Sequence, residues 1–396
     1  MTNIKKKIVF VGLSGGVDSA VSATLLKKQG YEVVGVFIKT WHPDFLVCNE
    51  EEERMDAMRV AASLDIPFLT FDLEDVYKKE VADYMIREYK LGRTPNPDVM
   101  CNKEVKFGAF LKKALLLGAL VRPSAEIFVA TGHYAKNSNQ VLSCDSHSIL
   151  NMTDRALVAN VAESTALSFL MKGNDPTKDQ SYFLWTLKQE QLKKILFPIG
   201  GFKKTEVRKF AKKFNLPVSE KKDSQGICFL GAVDLKEFLK HYIKEKKGKV
   251  LNEKGEEIGY HDGVVFYTLG ERHGFTITKK MPTDGAYYVF GKNIKKNILY
   301  VSQLPPDKGG LRGVEFDSKI NLENINWINK IPESNKTYTA QIRYHGEFLP
   351  CTIKVAEGPE RSRRATVFFK KPILVASGQS CVIYDGDICL GGGVVV

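Results

Sequence analysis

The stretch Ile8-Val9-Phe10-Val11-Gly12-Leu13-Ser14-Gly15-Gly16-Val17-Asp18-Ser19 decides the fold. Residues 8–13 form an apolar run of the kind buried on both faces of a sheet, and a helical pattern extends from 19 to 28. The turn between them holds two adjacent glycines, flanked by hydroxyls and a carboxylate. Such a strand-turn-helix aims backbone N–H groups and a helix N-terminus at one point, where a phosphate is stabilised. The string lacks the Gly-Lys-Ser/Thr of a Walker A loop and the spacing of Gly-x-Gly-x-x-Gly. Any glycine pair can also be a plain strand-to-helix turn, but Ser-Gly-Gly-Val-Asp-Ser is a much rarer combination.

Outward from this loop, apolar runs at 33–38, 67–71 and 127–130 alternate with helical patterns at 50–64, 76–90 and 102–117. Asn49 is placed to cap the acidic first turn of the 50–64 helix. This order predicts an α/β fold with a doubly wound, mostly parallel sheet. Residues 136–178 lose the pattern and read as a surface insertion. Helical signals resume at 189 and end near 214. Beyond Gly231 come one short helix at 235–244 and glycine-punctuated strands at 249–251 and 257–259, the marks of a small mixed domain. Tyr338, Ala340, Ile342 and Tyr344 alternate with Thr339, Gln341 and Arg343, predicting a half-buried antiparallel strand with Arg343 on its polar face. Asp385-Gly386 predicts a hairpin between 381–384 and 387–390. The expected organisation is a catalytic domain at 1–230, a central domain at 231–303 and a C-terminal antiparallel β-barrel at 304–396.

The chain has 396 residues, 43% of them hydrophobic, enough for several packed cores. With 58 Lys and Arg against 46 Asp and Glu, the net charge of +12 favours a polyanionic partner, nucleic acid or a membrane surface. No apolar run approaches the ~20 residues of a membrane span, and residues 5–7 are lysines rather than a leader pattern, so a cytoplasmic protein is expected. The seven cysteines are scattered with no Cys-x-x-Cys pair. That spacing suits a reducing compartment and argues against a disulfide framework, a zinc site or an iron–sulfur cluster.

The Ser14–Ser19 loop resembles the signature of the ATP pyrophosphatases, which adenylate a substrate oxygen. Gly92-Arg93-Thr94-Pro95-Asn96-Pro97-Asp98 and Cys101-Asn102-Lys103-Glu104-Val105-Lys106-Phe107 resemble the tRNA-specific 2-thiouridylases within that group. In the same order follow Thr131-Gly132-His133-Tyr134, Lys178-Asp179-Gln180-Ser181-Tyr182-Phe183-Leu184, Lys222-Asp223-Ser224-Gln225-Gly226-Ile227-Cys228-Phe229 and Cys389-Leu390-Gly391-Gly392-Gly393. Together they cover nearly the whole chain. Two features depart from the family pattern: the length of 136–178, and Glu271 and His273 where Gln and Lys are usual.

The resemblance implies that ATP, with Mg²⁺, lies on Gly12, Leu13, Ser14, Gly15, Gly16, Val17, Asp18 and Ser19, with Ile38 and Gly132 beside the adenosine. It implies that Asn96, Pro97 and Asp98 meet the target base, and that Lys178, Asp179, Gln180, Arg343 and Tyr344 touch the tRNA. The target is then the wobble uridine of an anticodon loop, and sulfur arrives as a persulfide from a desulfurase or relay protein. By the same resemblance Cys228 carries the persulfide, Cys101 attacks it, and the two are left as a disulfide.

The residue types suit this chemistry. A uridine carbonyl oxygen leaves poorly until AMP is attached to it. Pyrophosphate charge can be met by the loop and helix N-terminus, and Asp18 can help hold Mg²⁺. Asp98 is read as a general base, with an Asx-type turn after Pro97 as the alternative. Cys101, directly ahead of a helix expected from 102, should favour its thiolate through the helix dipole, Lys103 and Lys106. Cys228 is expected to be exposed, whereas Cys48, Cys144, Cys351, Cys381 and Cys389 read as small buried hydrophobes. For Arg343 the alternative is a solvated strand face. Competing functions are an ammonia-adding ATP pyrophosphatase, which needs no cysteine pair, an iron–sulfur-dependent thiolase, and a non-catalytic RNA-binding protein.

Overall fold

The computed structural model describes residues 6–46, 49–138, 167–223, 228, 234–279, 284–303, 318–334, 336–356 and 363–396. The deciding stretch forms strand β1 (Lys7–Gly12) and opens the helix Val17–Lys28. Strands β2 (Glu32–Lys39), β3 (Phe68–Asp72) and β4 (Glu126–Ala130) follow. The chain then leaves the sheet for a hairpin, β5 (Ala135–Asn137) and β6 (Leu170–Lys172), and returns as the two-residue β7 (Ile195–Leu196). The sheet order is β3-β2-β1-β4-β7, every pairing parallel. Ile8, Phe10, Ile127 and Val129 face one core, while Val9, Val11, Phe128 and Ala130 face the other. Burial on both faces is why the strand runs are apolar throughout. The strand order reverses between β1 and β4, and a cleft opens at their C-terminal ends, as this topology requires.

Several helices differ from expectation. The one expected from 102 begins at Pro97. The Asn96 side chain caps it, accepting from the Val99 N–H at 3.2 Å, and Pro97 fills a first-turn position whose N–H needs no partner. The run continues as Pro97–Met100, a π-wound Cys101–Phe110 and Leu111–Val121. Cys101 is therefore inside a helix rather than ahead of one. The 76–90 region is Glu74–Tyr77, a π-wound Lys78–Ala82 and Asp83–Lys90. Asn49 precedes Glu50–Ser63 as expected, but its side chain makes no capping bond. The 189–214 region is two short helices, Gln189–Leu192 and Lys204–Lys213, with β7 between them, and the 235–244 helix ends at Lys240.

The 136–178 segment is corrected at its flanks, residues 139–166 with Cys144 lying outside the described residues. Asn137 and Leu170 are fully buried, and Asn137 Nδ2 donates to the carbonyls of Leu192 and Ile195 at 2.7 and 3.0 Å. Its amide closes backbone acceptors at a strand end, a core role that a polar composition hides.

The central unit is a mixed sheet of β8 (Gly248–Leu251), β9 (Glu257–His261), β10 (Thr276–Ile277), β11 (Tyr288–Asn293) and β12 (Ile298–Ser302), in the order β10-β9-β8-β12-β11. The last unit is a barrel of β13 (Lys319–Trp327), β14 (Tyr338–Gln341), β15 (Leu349–Val355), β16 (Arg364–Phe369), β17 (Ser380–Asp385) and β18 (Ile388–Val395). Pairing of β13 with β18 closes six antiparallel strands and leaves no free edge. The Asp385-Gly386 hairpin forms as expected, with Gly386 at φ +60°. Outside the barrel, β6 pairs with β18 through Met171 and Ile388, fastening the first unit to the last.

Candidate active site

One cleft of about 1080 Å³ runs from the β1 turn to the barrel. Gly12, Leu13, Ser14, Gly16, Val17, Asp18, Ser19, Ile38 and Gly132 all line it. Ser14 N–H donates to Ser19 Oγ at 3.2 Å, and Ser19 Oγ donates to the Gly16 carbonyl at 3.1 Å, so the hydroxyls brace the turn. Gly15 faces away from the cleft. Its φ of +69° and the Glu53 carbonyl oxygen, 2.4 Å from where a Cβ would stand, leave room only for glycine. At Gly132 a Cβ would come within 2.8 Å of Ser19 N, so glycine lets the β4 exit pack on the helix start.

Asp18 does not stand free for a metal. Lys204 Nζ donates to both its oxygens at 2.7 and 2.8 Å, and Tyr134 OH donates to Oδ1 at 2.8 Å. Lys204 also lies 2.9 Å from Asp223, which binds Lys178 at 3.0 Å and Arg208 as well. Although burial alone would raise the Asp223 carboxyl, Lys204 and Lys178 hold it well below the usual carboxylate range. The carboxylates thus fix several cations beside the phosphate-type turn. As folded, both Asp18 oxygens accept from protein donors. Sequence reading passed over Lys204 because it lies in a Lys-rich helix start, where one lysine looks like the next.

At the other end of the cleft, Cys101 and Cys228 lie Sγ to Sγ at 3.5 Å as free thiols. A π-helix stacks residues five apart, so Cys101 and Lys106 share a face and Lys106 reaches the sulfurs. Lys103 instead pairs with Glu104 at 2.8 Å near the surface. The expected Cys101 thiolate is corrected: Cys101 is fully buried, and burial together with Cys228 pushes its thiol well up. Cys228 is the ionisable partner. The hydrogen bond from Cys101 draws its thiol down to about 7 against the effect of burial, with Lys106 adding to the pull. Nor is Cys228 fully exposed. It retains part of its surface on the cleft, its N–H donates to Asp98 Oδ1 at 2.9 Å, and its carbonyl accepts from Tyr77 OH at 2.8 Å. Residues 224–227 and 229 of its motif lie outside the described residues, as does Cys48. Cys351, Cys381 and Cys389 are buried, as expected.

Asp98 lines the cleft, with its carboxyl raised chiefly by burial, in the first turn of the Asn96-capped helix rather than in a loop turn. Asn96 and Pro97 shape that helix start and do not themselves line the cleft. Lys178, Gln180 and Tyr344 line it, but Asp179 turns inward and accepts from the N–H groups of Gly173 and Ser181 and the Ser181 hydroxyl. Gln180 Oε1 accepts from Tyr134 N–H at 3.0 Å. Tyr344 packs on Phe183 with ring centroids 4.4 Å apart and on His345 at 3.9 Å, forming an aromatic wall. Arg343 is exposed, but in the turn beyond β14 rather than on the strand. The alternation fails because β14 stops at the buried Gln341, whose side chain donates to the Gly346 carbonyl and holds the turn.

Three family models match in chain order: a tRNA methyl transferase HUP domain over residues 7–232, a tRNA methyl transferase PRC-barrel domain over 236–303, and an aminomethyltransferase β-barrel domain over 317–395. A tRNA-specific 2-thiouridylase MnmA of Streptococcus thermophilus is 40% identical over 400 aligned positions, covering 100% of this chain and 96% of that protein. One from Listeria monocytogenes serotype 4b is 41% identical with the same coverage. Among solved structures, the U34-tRNA thiolase NcsA from Methanococcus maripaludis with its [4Fe-4S] cluster is 17% identical, with 60% of this chain and 67% of that one covered. Its TM-score of 0.29 is too low to carry an argument. The phosphate-type turn, Cys228 in the same cleft with Cys101 buried beside it, and full-length identity near 40% agree: the chain belongs to the family of tRNA-specific 2-thiouridylases, enzymes that transfer sulfur to tRNA.

Proposed function

We propose that the enzyme adenylates the C2 oxygen of the wobble uridine with ATP and replaces it with sulfur from a persulfide on Cys228, releasing AMP and pyrophosphate. One observation supports this above the rest: a single cleft holds both the phosphate-type turn and Cys228, whose Sγ lies 3.5 Å from that of the buried free thiol Cys101. ATP phosphates on Gly12–Ser19 would meet backbone donors and the cations fixed by Asp18 and Asp223, which stabilise pyrophosphate charge without reorganising. Asp98, whose carboxyl burial raises, is suited to proton exchange at the uridine. The aromatic wall of Phe183 and Tyr344 offers a stacking surface for an unpaired base, with Arg343 and Lys178 for the RNA backbone.

Cys228 then receives sulfur from a persulfide-bearing donor protein. Attack of Cys101 on the inner sulfur forms the Cys101–Cys228 disulfide and frees the outer sulfur as hydrosulfide. That hydrosulfide displaces AMP from C2, and a cellular thiol reductant restores both cysteines. A cytoplasmic location belongs to the same reading; no helix among the described residues is long and apolar enough to cross a membrane. The domain limits 1–230, 231–303 and 304–396 follow the same reading. Incubation with ATP, sulfide and unmodified tRNA, followed by nucleoside analysis, should yield 2-thiouridine with AMP. Release of ADP, or thiolation elsewhere on the base, overturns this function.

A further inference from the structure

Tyr77 belongs to none of the motifs above and does not line the cleft, yet it is fully buried and its hydroxyl ends 2.8 Å from the Cys228 carbonyl, 151 residues away. On the other side of that residue, Asp98 takes the Cys228 N–H at 2.9 Å. Both backbone polar groups of Cys228 are therefore held by side chains from two different helices. These are also the helices with π-wound stretches: Tyr77 directly precedes Lys78–Ala82, and Asp98 lies one turn before Cys101–Phe110. Between the two grips, Cys228 Sγ comes to 3.5 Å from Cys101 Sγ.

We propose that Tyr77 is a positioning residue for sulfur release: with Asp98 it forms a two-point clamp on the Cys228 peptide that sets the distance between the two sulfurs. The inference rests on the sulfur-transfer reading above, which it extends by naming what brings the attacking and carrying cysteines together. In the clamped state Cys101 attacks the inner sulfur of the Cys228 persulfide, its proton passing to the departing outer sulfur. The new S–S bond joins the cysteines and the outer sulfur leaves with the bonding electron pair as hydrosulfide. Without the clamp the Cys228 peptide loses one of its two fixed points, and fewer encounters of the sulfurs reach bonding distance.

The test uses the full chain, reduced and then treated with diamide, which takes two electrons and two protons from the thiol pair. Non-reducing peptide mapping gives the rate of Cys101–Cys228 closure. Tyr77→Phe, which keeps the ring and removes one hydrogen bond, should slow closure about fivefold, the ratio expected for an ordinary hydrogen bond of ~1 kcal/mol. It should also move the pH midpoint of Cys228 alkylation upward, because the Cys101 hydrogen bond that lowers it is made less often. A role in packing alone would lower the melting temperature and leave that midpoint in place. Should Tyr77→Phe fold poorly, Asp98→Asn, which still accepts from the Cys228 N–H, should close at the wild-type rate while Asp98→Ala closes slowly. Wild-type closure and midpoint in Tyr77→Phe, or equal closure in Asp98→Asn and Asp98→Ala, overturns the clamp. Normal clamping without any 2-thiouridine formation would instead overturn the function and leave the clamp standing.

Discussion

The two ends of the cleft solve opposite electrostatic problems. At the phosphate end, charges are plentiful and already paired: Asp18 and Asp223 organise Lys178, Lys204 and Arg208 before any ligand arrives. At the cysteine end burial holds one thiol neutral, the other is drawn down to about 7, and one half-buried lysine biases which sulfur gives up its proton. Preorganised cations stabilise an anion that leaves. A secluded thiol pair protects a sulfur that water and stray oxidants would otherwise take. On the proposed function, adenylation and sulfur transfer should be separable by mutation although they share a cavity.

The largest expected separation comes from the cysteines. Cys228→Ser should abolish persulfide-dependent thiolation while tRNA-dependent AMP formation persists, and Cys101→Ser should accept a persulfide on Cys228 yet fail to release it. Mass spectrometry of the loaded protein checks the second point, and wild-type thiolation in either variant would break the comparison.

Lys204→Ala probes the opposite end. Loss of a cation aimed at a leaving group typically costs ~10²-fold in rate, so AMP formation should fall by about that factor while Cys101–Cys228 closure keeps its rate. Equal loss of both would mean the two ends are one unit.

A smaller effect is expected for Lys106→Met, read from the pH dependence of Cys228 alkylation by iodoacetamide. In the wild type the rate should rise with pH through about 7, because the thiolate is the reactive form and the Cys101 hydrogen bond lowers that thiol. Removing the ammonium destabilises the thiolate, so the midpoint should move upward toward an ordinary thiol. A downward shift would reverse the role given to Lys106.

The smallest effect belongs to the rim. Arg343→Ala should weaken tRNA binding by about fivefold and flatten its log–log salt dependence by about one, the mark of one lost phosphate contact. ATP affinity should not change.

The phosphate end was largely legible in the sequence because its chemistry is local: a strand, two glycines and a helix lie within a dozen residues, and the sheet follows from their repetition. The cysteine end was legible only by resemblance. No spacing rule brings Cys101 to Cys228 across 127 residues, and expecting a helix from 102 led to a thiolate on the wrong cysteine. Asn96 and Pro97 were the missed signal, since a capping residue followed by proline marks a helix start. Lys204 and Tyr77 escaped for a related reason: each owes its role to partners far away in the chain. Arg343 was placed on a strand because alternation says nothing about where a strand stops.

The bond between β6 and β18 also has a bearing on how the chain is made. The parallel sheet has all its strands once residue 196 has been synthesised, but the hairpin beside it lacks its neighbouring strand until Ile388 emerges. At about 5–20 residues per second that interval is roughly 10–40 s. Throughout it, Met171 and the side chains of Tyr182 and Trp185, which later donate to Ser380, have no barrel to meet. The ribosome thus releases a nearly complete nucleotide-type domain with one flank still unpaired. Chains truncated before Ile388 should therefore be more prone to association through that flank than the finished protein.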